Sequence, residues 1–212
     1  MNERVDEFEF FLEKDWSDGF PVVTPTEERI ARMLTGTKRN HDEVIGPIPP
    51  GMEIATVRNV AVHALMAGCR LEYLPVVLGA TELMLRDEFN VNGVQGTMHG
   101  VAPMMIVNGP YAAEIGLHGG NGCLGPGFRA NATIGRAIRL ILMNLGAGIP
   151  GVSSMTIFGM PSRFTYCLTE NVEDGPWESL SASKGYLPDD NVITMAMVES
   201  PRFCFDDVSD ET

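Results

Sequence analysis

The chain has 212 residues, 44% of them hydrophobic and 20% charged, which is a globular composition with ample length for a buried core. Its 28 acidic and 15 basic residues give a formal net charge of −13, which argues against nucleic acid as a partner, because that needs a basic footprint. Residues 1–18 hold seven acids and two bases and residues 199–212 hold five acids and one base, so the segment between them is only −4.

In chain order, residues 3–14 read as a short acidic helix with Val5, Phe8, Phe11 and Leu12 on one face. Thr26 before Glu27 and Glu28 reads as a helix start, and that helix runs to about Leu34. The three prolines of residues 40–52 predict a loop. Thr56 opens a helix with Val57, Val60, Ala61, Ala64 and Leu65 at helical spacing, ending at Gly68. Glu72 to Arg86 reads as a second helix, with Pro75 in its first turn. Both are apolar nearly all round, which predicts burial.

Val94 to Met98 and Met104 to Val107 read as strands, and Tyr111 to Ile115 as a short helix. The spacing then predicts a long helix over about Asn131 to Leu145. Its stripe is Ala130, Ile134, Ala137, Ile138, Ile141 and Leu145, with Arg129, Arg136 and Arg139 on the other side as a solvated face or oligomer contact. Short strands are expected at Thr156–Phe158, Phe164–Leu168, Val192–Val198 and Phe203–Phe205, with a short helix near Trp177 to Ala182. Early helices and late strands predict a single α+β domain, with buried helices on a mixed or antiparallel sheet. The expected limits are an acidic N-terminal helix or arm over 1–18, a catalytic or binding domain over 19–198, and an acidic tail over 199–212.

The segment from Gly119 to Arg129 carries the chemistry. It places five glycines, Cys123 and Arg129 just ahead of the long helix. Such a loop exposes backbone N–H groups, and a helix start adds partial positive charge that favours thiolate. Cys123 is therefore a candidate nucleophile, with His118 or His99 as its base. Gly122, Gly125, Gly127, Arg129, Asn131 and Asn108 are candidates for holding a small carboxylate-like anion, although Asn131 and Asn108 also fit capping and turn chemistry. The run Gly120-x-Gly122-x-x-Gly125 matches a dinucleotide fingerprint in letters only, since no strand leads into it and no acid follows about 20 residues on.

His63 reads as a core histidine and His41 as a surface one. Cys69, Cys167 and Cys204 read as core thiols. No CxxC pair or standard ligand spacing calls for a metal, and nothing names a cofactor. The opening MNERVDEFEF lacks a signal-peptide apolar run and no apolar stretch is long enough for a membrane span, so a reducing cytoplasm is expected. The glycines and buried helices suggest a homo-oligomer.

Long runs carry a resemblance as well. They are DGFPVVTPTEER from Asp18, MAGCRLEYLPVVL from Met66, IVNGP from Ile106, GCLGPGFRANATIGRA from Gly122 and YCLTEN from Tyr166. On these the chain resembles a little-characterised bacterial family associated with small cysteine- or selenocysteine-containing proteins that bear a UGSC motif. The likeness spans most of residues 16–200, and the chain has no such motif itself. The resemblance implies a thiol- or selenol-bearing partner and carries over no residue role. Two readings follow. One is a cysteine-dependent lyase or hydrolase acting on a small anion. The other is a non-catalytic or substrate-binding subunit whose Cys- or Sec-containing partner supplies the reactive group. A nucleotide or phosphate binder is a third.

Overall fold

The computed structural model describes residues 6–202. The elements in order are α1 (Glu7–Leu12), α2 (Glu27–Leu34), β1 (Val44–Ile48), β2 (Glu53–Thr56), α3 (Val57–Ala67), α4 (Leu74–Met84), α5 (Val91–Gly96), β3 (Ala102–Asn108), α6 (Pro110–Glu114), α7 (Arg129–Asn144), β4 (Cys167–Leu168), α8 (Leu180–Ser183) and β5 (Val192–Val198). The fold is α+β, as expected. Its main sheet is mixed, in the order β4-β3-β5. Strand β3 runs parallel to β4 through Met105 opposite Cys167, and antiparallel to β5 from Ala102 opposite Val198 to Asn108 opposite Val192.

Helix starts follow side-chain chemistry. The Thr26 hydroxyl accepts from Arg29 N–H, and Thr56 and Asn59 form a reciprocal capping box at α3. Gly68 ends α3 in the left-handed region at φ 91°, which a Cβ would strain. Helix α3 packs along α7 and α4, and the three form one core with β3 through fully buried Val57, Val60, Leu74, Ile134, Leu140 and Met105. The predicted stripe of α7 is buried except for half-buried Leu145.

Five expectations are corrected. Residues 40–52 are not all loop: β1 pairs antiparallel with β2, because an edge strand in a two-stranded ribbon tolerates Pro47. Val94–Met98 is not a strand. Val91, Val94 and Gln95 are buried at helical spacing in α5, and the Asn90 side chain accepts from Gly93 N–H at its start. Thr156–Phe158 is irregular, with Phe158 96% exposed, and Phe164–Leu168 keeps only the two strand residues of β4. Finally, Arg136 and Arg139 do not form a solvated face. Arg136 grips Asp18 through two 2.7 Å bonds with the carboxylate almost wholly buried, and Arg139 is half-buried.

Phe203–Phe205 and Cys204 lie outside the described residues. Cys69 and Cys167 are buried free thiols and His63 is a buried histidine, as expected. Among the described residues, no helix is long and apolar enough to cross a membrane.

Candidate functional site

The glycine loop is fastened from beneath by one residue. Asn131, in the first turn of α7 and 3% exposed, accepts from His118 N–H at 3.0 Å and donates to the carbonyls of His118 at 2.8 Å and Cys123 at 3.0 Å. Its amide holds the loop rather than a substrate. The His118 ring stacks on Phe128 with centroids 3.9 Å apart, and Nε2 lies 3.1 Å from Asn121 O. A carbonyl only accepts, so Nε2 carries the proton and Nδ1 is left as the acceptor nitrogen. Gly119 passes so close to the backbone of Thr169–Asn171 that a Cβ would overlap it.

Cys123 is half-buried beside this ring in sequence, and no hydrogen bond joins its Sγ to His118. Gly122 and Gly127 have positive φ of 78° and 116°, and both are exposed with Gly125 at the loop surface. Helix α7 has no side-chain cap, so first-turn N–H groups face the loop.

The other predicted residues go elsewhere. His99 is 78% exposed, faces Glu199 at 3.4 Å, and precedes β3. The loop abuts the residues after β4, so the length of β3, roughly 20 Å, separates His99 from it. Arg129 turns away from the loop and donates through Nε and Nη2 to Gly68 O, at the C-terminus of α3. Asn108 is 4% exposed at the end of β3. Its Nδ2 donates to Glu170 at 2.6 Å, and its Oδ1 is buried with no hydrogen-bond partner among the described residues. Helix α6, not a strand, precedes the loop, which removes the structural setting of a dinucleotide fingerprint. Among the described residues no His, Cys, Asp and Glu gather as a metal site.

A second location was not anticipated. A cavity of about 760 Å³ lies against the middle of α7, walled by Met143, Ile149, Ile157, Phe158, Met160 and Phe164. Arg139 and Arg163 line it. Arg139 donates to Gln95 Oε1 at 3.4 Å and Gly148 O at 3.1 Å; Arg163 donates to Val101 O at 2.9 Å and Ser154 Oγ at 2.8 Å. A guanidinium has five donor hydrogens, so each keeps several unused. Neither has a carboxylate partner among the described residues. Two carboxylates also line the cavity: Arg136 occupies both oxygens of Asp18, and Asp15 makes no ion pair with Arg139 or Arg163. Burial, then the Arg163 charge, push the Arg139 guanidinium down to about 10, against an opposite pull from Asp18. Burial lowers Arg163 too. Thr156 Oγ1, on the cavity lining, is buried without a hydrogen-bond partner among the described residues.

Sequence periodicity hides this site, because Arg139 falls on the polar side of α7 and the walls come from an irregular segment. The available signal was the run of Gly, Pro, Ser and apolar residues from Ile149 to Phe164, too apolar for a solvated loop. Comparison of the chain with protein-family models, with curated proteins and with solved structures finds no match.

Proposed function

We propose that the protein binds a small apolar carboxylate in the Arg139–Arg163 cavity and acts as the substrate-binding member of a complex. The observation that carries this reading is two guanidinium groups with unused donors, free of carboxylate partners, at an apolar cavity of ligand size. They crowd each other's charge, and an anion between them relieves that repulsion. The apolar walls select a hydrocarbon body. The cavity lining holds no cysteine or histidine, so a thiol or selenol acting on the ligand would come from outside it. The resemblance to a family associated with thiol- and selenol-bearing proteins supplies a candidate for that group. The exposed Val152, Ile157 and Phe158 along the same segment offer apolar surface for contact.

The test is calorimetric titration with straight-chain and aryl carboxylates. Saturable binding is expected, weakened tenfold to a hundredfold in Arg163→Gln, as for loss of a charged hydrogen bond worth roughly 1.5–3 kcal/mol. An Arg163→Gln protein that binds as well as wild type sinks the proposal.

A second reading rests on the loop. Here Cys123 is the nucleophile of a lyase- or hydrolase-type enzyme acting on a small anion, His118 Nδ1 takes its proton, and N–H groups of Gly122 and Gly127 face the developing oxyanion. It is favoured by the fixed His118 tautomer and by Asn131 holding both residues. Alkylation followed by mass spectrometry tests it. Cys123 should be alkylated faster than a free cysteine at neutral pH, and His118→Asn should remove that advantage. Ordinary thiol behaviour at Cys123 rejects this reading.

A further inference from the structure

The acids of this chain outnumber its bases nearly two to one, yet one cavity reverses the ratio. It measures about 440 Å³ and is lined by Arg29 and Arg32 of α2, Arg70 after α3 and Arg129 at the start of α7, with Glu72 as its only carboxylate. These four residues come from three separate stretches of the chain and converge only through the fold. Four arginines elsewhere find acids: Arg39 pairs with Glu43 and Glu82, Arg58 with Glu27, Arg136 with Asp18 and Arg202 with Glu199, whereas Arg86, Arg139 and Arg163 have no ion pair among the described residues. None of the four that line this cavity has an ion pair among the described residues.

Their hydrogen bonds leave most of the donors free. Arg29 Nη1 donates to Thr24 O at 3.0 Å, and Arg129 donates twice to Gly68 O; Arg32 and Arg70 make no side-chain bond among the described residues. The apolar part of the lining is aliphatic, from Val23, Met33, Leu65 and Leu71, with no ring on which a base could stack. Cys69 also lines the cavity, but its thiol is fully buried and burial pushes it up to about 12, so the cavity holds no thiolate nucleophile.

We infer that this cleft is a binding site for a small phosphate-bearing anion, of which a diphosphate is the best match. Several guanidinium forks approaching from three directions need many acceptor oxygens and more than one negative charge. A diphosphate supplies both, whereas a single carboxylate satisfies one fork. The net excess of three positive charges, four arginines less Glu72, matches a diphosphate group. No residue is shared with the lining of the Arg139–Arg163 cavity, so the two sites stand or fall separately.

The experiment is titration of the full chain with inorganic pyrophosphate at fixed ionic strength, with sulfate as the competing simple anion. Saturable binding is expected at one site, at least tenfold tighter than sulfate. Arg32→Ala and Arg70→Ala, both at exposed positions, should each weaken it at least tenfold. Arg86→Ala, exposed on a different cavity, should leave it unchanged. Absence of saturable pyrophosphate binding overturns the inference. So does equal weakening by Arg86→Ala, which marks a general charge effect. Carboxylate binding that persists in Arg70→Ala and fails in Arg163→Gln keeps this outcome distinct from the first site.

Discussion

Two buried polar residues, His63 and Asn131, serve different local tasks. His63 sits in α3 with its Nδ1 2.6 Å from Asn59 O, one helical turn back. Burial pushes the imidazole below its ordinary 6.5, against a smaller opposite pull from that bond. The unfolded chain therefore takes up a proton that the folded chain refuses, and stability falls as pH drops below 6.5 toward the folded value. Between about pH 7 and 5.5 the wild-type melting temperature should fall further than that of His63→Gln. Equal falls would assign the acid sensitivity elsewhere. The core role of His63 was legible because its helix is apolar all round. The role of Asn131 was not, because its three partners are backbone groups 8 to 13 residues away, and nothing in side-chain spacing encodes them. His99 misled because a neighbouring loop was expected to carry it to the same pocket, and Arg129 because it adjoins the glycine loop in sequence. Sequence proximity to a loop says nothing about the direction in which a side chain leaves its backbone.

At the scale of elements, α7 organises both cavities and the loop. Its tenth position beyond Arg129 is Arg139, about 15 Å along the axis, so one helix lends an arginine to each cavity at different heights. Close approach of its neighbours depends on Gly135, where a Cβ would overlap Thr165 Oγ1 and Tyr166 N just before β4. Gly135→Ala should destabilise the fold by about 2 kcal/mol or more despite the better helix propensity of alanine, because the clash is with backbone. Urea unfolding measures this; an unchanged or raised midpoint would show that α7 and β4 can separate without cost. The helices were readable from their period and caps, since these are local. The β1–β2 ribbon was masked by its prolines, and α5 by its short apolar run, which fits either period. The segment from Ile149 to Phe164 has no period, and it is held by its own turn bonds, by Ile157 N–H to Met98 O and by Arg163 to Val101 and Ser154.

For the whole molecule, charge is sorted rather than balanced. Six of the arginines without a carboxylate partner among the described residues lie at two concave places, one walled by apolar side chains and one open and multiply cationic. Counting charges along the sequence gives a mild −4 for the body and conceals both places, because Arg29, Arg70 and Arg129, or Arg139 and Arg163, meet only in three dimensions. The arginines themselves are visible in the sequence, but their convergence at these two places is not. The central claim is that Arg139 and Arg163 select a carboxylate over a neutral molecule of the same shape. The most direct measurement is calorimetric comparison of a straight-chain carboxylate with its own primary amide on wild-type protein at neutral pH. Binding of the carboxylate at least tenfold tighter than the amide is the expected result. Equal affinities, or no binding of either, would contradict the assignment of this cavity.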